Sequence, residues 1–292
     1  MNKYLEIIKF NISILVIVTC YIGYYLGLRF NGFNMTEPES WIVFIYLVIG
    51  SLISSSGASI LNQFIEIEYD SKMERTKNRP LPKKEINPLT ALCAGCFFSF
   101  FGPLILLVKV NFLTALISFL TIFIYVCVYT PLKRYSSINT IVGAVPGALP
   151  PLGGWVAATN QIHIEGLMLF GILFCWQIPH FLSLAIIYKD DYKRGGFKML
   201  PSITDNTNLI TFQILFFTMA LLYTSIGVFI LSMTSFVYFI GAIILGLIFL
   251  FYSSYILFDY SSKSIKRIFI FSIIYLPLLL ILILIDSVLF NG

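Results

Sequence analysis

Asn62, Glu66 and Asp70 recur at i, i+4 and i+8 where a long apolar run ends. On an α-helix each four-residue step overshoots a full turn by only about 40°, so the three side chains form one oxygen-rich stripe. Lys72, Arg75, Lys77 and Arg79 follow at once, within the stretch NQFIEIEYDSKMERTKNRPLP of a chain that is only 11% charged. Carboxylate and amide oxygens suit a hard cation such as Mg²⁺, and basic groups suit phosphate oxygens. The spacing predicts a Mg²⁺-bridged diphosphate site with Asn62, Glu66 and Asp70 on the metal. The competing reading is a solvated loop at a helix end, although ionisable groups placed this way in polytopic proteins tend to be functional.

Two further clusters carry polar chemistry. In YTPLKRYSSINT, Tyr129 and Lys133 are four apart with Pro131 between them, so the helix is expected to end or kink there. Arg134 follows; an aromatic belt residue with ordinary interfacial cations is the alternative. In WQIPHFLSLAIIYKDDYKRGGFKMLP, Gln177 and His180 precede Asp190, Asp191 and Tyr192. Eleven residues of helix separate His180 from Asp191 by about 16 Å, so both could line one pocket without touching. Pro179 frees a backbone carbonyl nearby, and a purely structural histidine satisfied by that broken helix competes with a functional one. Gly195 and Gly196 suggest a flexible loop over the site.

The elements that must position these groups are membrane helices. The chain is 58% hydrophobic, with a mean hydropathy of +0.90. Nine apolar stretches are expected to span, at 8–28, 42–62, 88–108, 112–130, 140–160, 165–187, 208–231, 236–257 and 268–289. Backbone groups in lipid must be satisfied within each segment, so an all-α polytopic bundle in the bilayer, a single domain over 1–292, is predicted. With the N-terminus inside, seventeen of the nineteen basic residues face the cytoplasm and only Arg29 and Lys109 lie outside. The positive-inside rule then gives N-terminus cytoplasmic and C-terminus outside, in a cell membrane. The net charge of +5 is this bias and does not argue for nucleic acid. The first stretch is too long for a signal-peptide core and no small-residue cleavage site follows it, so it is expected to remain a span. Cys93 and Cys96 form a CxxC inside the third stretch without a second pair, which reads as small apolar filling. Almost none of the acids falls mid-span, with Glu6, Glu165 and Asp286 at helix ends, which weakens a transporter reading. Spans one to four and five to eight hint at a duplication. Gly143 and Gly147 form a GxxxG that would permit close packing or a broken helix lining a cavity.

The three clusters resemble the UbiA-type intramembrane prenyltransferases, and WQIPHF points within them to the heme-modifying branch. The resemblance covers Asn62 to Pro201 in its motifs and the whole chain in its nine helices. It implies transfer of a farnesyl group from farnesyl diphosphate to a vinyl group of protoheme IX (heme B), with water added and diphosphate released. The product would serve terminal oxidases or a heme A synthase. Glu66 stands where the superfamily pattern has Asp, and KDDY is thinner than the usual second aspartate motif, so the number of Mg²⁺ ions stays open. The chemistry assigns Asn62, Glu66 and Asp70 to the metal. Arg75, Arg79 and Lys133 go to the diphosphate, with Lys72 and Arg134 as weaker contacts and Tyr129 as a further donor. Asp191, and after it Asp190, are candidates for a second metal contact. Gln177 and His180 are candidates for the heme side, His180 as iron ligand or propionate contact. A quinone-pathway aromatic prenyltransferase, a non-catalytic heme-binding assembly protein and a transporter are the alternatives.

Overall fold

Prolines, asparagines and a serine set where several helices begin. Pro38 and Pro88 sit in first helical turns, where a missing N–H costs nothing. Asn87, Asn111, Asn206 and Ser235 each accept a hydrogen bond from a free N–H of the helix that follows. The computed structural model describes residues 3–289, and in them nine helices are long and apolar enough to cross a membrane. They are α1 (Phe10–Phe30), α2 (Pro38–Ile65), α3 (Pro88–Lys109), α4 (Phe112–Leu132), α5 (Asn139–Thr159), α6 (Ile164–Ile187), α7 (Thr207–Ile230), α8 (Phe236–Tyr255) and α9 (Ser262–Leu289). The described residues contain no strand. This is a multi-pass membrane protein built wholly of helices.

Helix α5 is the hub. Its apolar stretch is 72% buried, against 28–50% in the other spans. It packs on α1 through paired glycines: a Cβ on Gly154 would lie 1.9 Å from the Cys20 carbonyl oxygen, and one on Gly23 equally close to that of Pro151. Pro146, Pro150 and Pro151 each remove a helical hydrogen bond, which a buried central helix tolerates where neighbours can take up the freed carbonyls. Cys20 Sγ also donates to the Pro150 carbonyl, at 3.2 Å. On the far side, α6 to α9 enclose Tyr238, Phe249 and Tyr275, all fully buried. Asp286 of α9 caps the start of α8 by accepting from the backbone N–H groups of Ser235 (2.6 Å) and Tyr238 (3.1 Å).

Two local departures from regular helix shape the site. Helix α2, expected to stop at 62, runs on to Ile65, and a further turn, Ile67–Asp70, follows. Glu66 N–H still bonds to Asn62 O (3.0 Å) and Asp70 N–H to Glu66 O (2.8 Å), so the four-residue period survives the break. In α4, residues Ile124–Tyr129 form a π-helix just before Pro131. The proline ring would crowd the carbonyl four residues back, and the wider i→i+5 turn relieves that clash. Thr130 Oγ then donates to the Tyr125 carbonyl at 2.8 Å.

Candidate active site

The basic loops surround one end of the bundle, and there a cavity of about 460 Å³ opens between α1, α2, α4, α5 and α6. Its polar wall is the Asn62, Glu66, Asp70 stripe, and each member meets one cation from a different segment. Lys9, just before α1, donates to Asn62 Oδ1 at 2.8 Å. Lys133, just after α4, pairs with Glu66 at 2.8 Å. Arg79, in the loop after α2, pairs with Asp70 at 2.6 Å. Asn62 Nδ2 donates in turn to Thr130 Oγ at 3.0 Å, which ties the stripe to the π-helical end of α4.

Charge in this wall is strongly coupled. Burial, with Arg79 and Lys133 close by, pushes the Lys9 ammonium down to about 7. Burial works against the Lys133 charge too. Glu66, with Tyr129 and Tyr125 around it, outweighs that and holds the proton well above the ordinary lysine range. The Lys133 ammonium sits 4.5 Å from the centre of the Tyr129 ring.

The remaining expected residues divide. Arg75 lines the cavity, donates to Tyr192 Oη at 3.1 Å and stacks on Tyr188 and Tyr192. Tyr129, Gln177 and His180 also line it. Lys72 does not: it is exposed and pairs with Glu68 one turn back. Arg134 instead caps α2, donating to the Ile65 carbonyl at 2.7 Å and stacking on Tyr69. Asp190 is exposed. Asp191 is buried, but its oxygens accept from the backbone N–H groups of Glu74 (2.9 Å) and Arg75 (3.1 Å) and from Arg194. It latches the loop that carries Arg75 and Arg79, and the cavity lining does not include it.

Burial opposes the Asp191 charge, yet those N–H donors and Arg194 bring its carboxyl below the ordinary range. A depressed carboxylate stabilises the fold above its unfolded value and loses that only as pH falls through the folded one. The latch therefore stays closed at neutral pH. Asp191→Ala is expected to raise the diphosphate substrate concentration needed for half-maximal rate by about tenfold or more, since the lost charged hydrogen bonds are worth that much. Steady-state kinetics against that substrate checks it, and an unchanged dependence would show that the loop holds its basic groups without the latch.

The glycine pair of α5 serves the cavity more than helix contact. A Cβ on Gly143 would come within 2.4 Å of the Tyr129 ring, and one on Gly147 within 2.0 Å of Gln177 Oε1. Gly143→Ala is expected to push the Tyr129 ring aside and lower turnover about 10²-fold, the scale of a misplaced site group. Turnover per correctly inserted molecule is the measurement, and near-normal rates would show that the ring has room to move.

Sequence reasoning missed Lys9 and Tyr125. In the sequence Lys9 bears only on topology, and nothing local marks it beyond its place at the start of the first span. Its backbone is left-handed (φ 51°), at the joint between the short helix Lys3–Ile7 and α1, which turns the side chain onto Asn62. Tyr125 Oη lies 3.4 Å from the same ammonium.

Residues 16–276 match the model of the UbiA prenyltransferase family. The chain belongs to that family. It is 36% identical over 295 residues to the protoheme IX farnesyltransferase of Solibacter usitatus, covering 98% of this chain and 99% of that protein. It is 38% identical over 280 residues to the human mitochondrial protoheme IX farnesyltransferase, covering 94% of this chain and 60% of that one. Among solved structures, a digeranylgeranylglyceryl phosphate synthase shares the fold at a TM-score of 0.81 and 18% identity over 98% of both chains. A UbiA homolog from Archaeoglobus fulgidus bound to GPP and Mg²⁺ shares it at 0.65 and 15%, over 97% of this chain and 99% of that one.

A divalent cation, which family chemistry implies, can be tested against the residues present. Among the described residues no three His, Cys, Asp or Glu side chains converge on one point. The available oxygens are two carboxylates and the Asn62 amide. Asp70 Oδ1, however, is buried and has no hydrogen-bond partner. A buried carboxylate oxygen without a partner is costly, and a hard cation would satisfy it. The residues fit such an ion.

Proposed function

We propose that this protein transfers the farnesyl group of farnesyl diphosphate to a vinyl group of protoheme IX, adding water and releasing diphosphate. The observation that carries the reading is the stripe of three oxygen donors, each faced by a cation, on a cavity whose lining also includes Gln177 and His180. Relatives bearing that activity in their names match nearly the whole chain, which supports the choice of substrates.

Asn62, Glu66 and Asp70 would hold Mg²⁺, which when bound supplies Lewis-acid stabilisation of the leaving diphosphate. Arg75, Arg79, Lys133 and Lys9 bind the phosphate oxygens, and Tyr129 adds a neutral donor. As the allylic C–O bond breaks, these fixed charges meet the negative charge that develops. Ile12, Val16, Ala58, Phe181 and Leu184 form apolar walls that keep water from the allylic cation. The terminal vinyl carbon of the porphyrin attacks that cation, and positive charge passes to the adjacent carbon. Water oxygen bonds there and a proton is released. Asp191 contributes through the latch and not through a second metal. The basic loops face the cytoplasm and the bilayer is the cell membrane. The farnesylated heme is of the kind that terminal oxidase assembly or a heme A synthase consumes.

The test uses purified protein with heme B, farnesyl diphosphate and Mg²⁺, following the heme by chromatography and mass. Conversion to a farnesylated, hydrated heme that stops on chelation of the metal is the expected result. Unchanged heme, with an aromatic acid or quinone precursor prenylated instead, would overturn the acceptor and keep the diphosphate chemistry.

A further inference from the structure

Helix α9 carries no charged cavity residue, yet one of its serines holds two side chains of the WQIPHF segment. The Trp176 indole N–H donates to the Ser272 carbonyl at 2.7 Å. His180 Nδ1 lies 2.8 Å from Ser272 Oγ. Ser272 is fully buried, and its hydroxyl donates to the Phe269 carbonyl one turn back, at 2.6 Å. A serine hydroxyl has a single proton, and this one is spent on Phe269. Oγ can therefore only accept from His180, which places the imidazole proton on Nδ1. Nε2 is left with a free lone pair.

The ring is also fixed in orientation. Trp176 stacks on one face with centroids 5.1 Å apart at 17°, and Phe269 stacks with centroids 5.0 Å apart at 25°. With Nδ1 tied to α9, the Nε2 edge is the part left to serve the cavity that His180 lines. Among the described residues Nε2 has no hydrogen-bond partner. A ring N–H bonded to a fixed acceptor, with the opposite nitrogen bare, is the arrangement that prepares a histidine for a metal.

We infer that Ser272 is a positioning residue that sets the His180 tautomer and presents Nε2 as an axial ligand to the iron of the bound heme. This rests on the proposed heme acceptor and says how that acceptor is oriented. Iron fixed on Nε2 leaves the porphyrin only rotation about that bond, and this limits which vinyl group can meet the allylic carbon. Ser272→Ala isolates the claim, because it removes the hydroxyl but leaves the backbone carbonyl that receives Trp176.

The experiment titrates heme B into the full-length protein without farnesyl diphosphate and follows the Soret and visible bands. Wild type is expected to give a histidine-ligated spectrum, and His180→Ala to lose it. Ser272→Ala should weaken heme binding by about 10- to 100-fold, the usual cost of losing the hydrogen bond behind a metal-bound histidine. Ser272→Thr, which keeps a hydroxyl, should restore it. Mg²⁺-dependent binding of farnesyl diphosphate by each variant should stay at the wild-type value, which shows the bundle intact. Wild-type affinity and spectrum in Ser272→Ala would overturn the role of Ser272. An unchanged spectrum in His180→Ala would overturn the ligand. If wild type binds no heme while still binding farnesyl diphosphate, the proposed acceptor falls with this inference.

Discussion

Asp70→Asn is expected to cut turnover on the order of 10³-fold, the upper range for removing one fixed electrostatic contact from a reacting centre. The substitution keeps the shape of a side chain that is 1% exposed, and its oxygen can still accept from Arg79. What disappears is the negative charge beside the partnerless Oδ1, and with it the strongest cation donor of the stripe. The loss should follow the metal and not the fold. Heme titration should give the wild-type spectrum, while Mg²⁺ should no longer strengthen binding of farnesyl diphosphate. Turnover within tenfold of wild type at saturating Mg²⁺ would remove Asp70 from the metal site.

Lys133→Met carries the second large effect, and it acts twice. Glu66 is nearly inaccessible, and Lys133 is its cation. Removing one partner of a buried pair leaves an uncompensated charge, at a cost of about 3 kcal/mol or more. The variant should therefore unfold at lower temperature, as well as lose the phosphate contact. Adding Glu66→Gln should return much of the lost stability, because the buried charge is gone, but should return no activity. Thermal unfolding of the wild type, both single variants and the double variant reads the first effect, and turnover reads the second. A double variant as unstable as Lys133→Met would show that packing around Tyr129, not the ion pair, is what Lys133 supplies.

The parts of the molecule that could be read from the sequence are those written along one segment. Spans are legible because bilayer thickness becomes a count of consecutive apolar residues. The Asn62, Glu66, Asp70 stripe is legible because backbone bonds through Glu66 preserve the helical period even where the helix breaks. Lys9 was not legible as a site residue. It reaches Asn62 across 53 positions of sequence, from a left-handed joint that no local pattern announces. Ser272 meets His180 across 92 positions, from inside an apolar run where a serine reads as filler. Asp191 shows a different limit. Its distance along a helix from His180 could be counted, but α6 ends at Ile187, Tyr188 leaves helical geometry (φ −107°, ψ 28°) and a separate short helix, Lys189–Arg194, follows. Separation follows from spacing only while the axis is continuous. Lys72 and Arg134 show that a basic residue near a phosphate site can serve a helix instead, as an i,i+4 partner or as the C-terminal cap of a neighbouring span.

The π-helical turn at Ile124–Tyr129 also sets a rule for insertions and deletions. Closing bonds from i to i+5 accommodates one residue more than the same length of regular helix would hold. A one-residue deletion there would let α4 close as an ordinary α-helix that keeps its downstream phase. A deletion in the regular part, Phe112–Phe123, has no such slack, and everything downstream of it would be rotated by about 100°. Lys133 would swing away from Glu66, and Thr130 away from Asn62, in a protein still able to insert its nine spans. The phase of one helix, and not its composition, is thus what keeps the fourth span in register with the stripe.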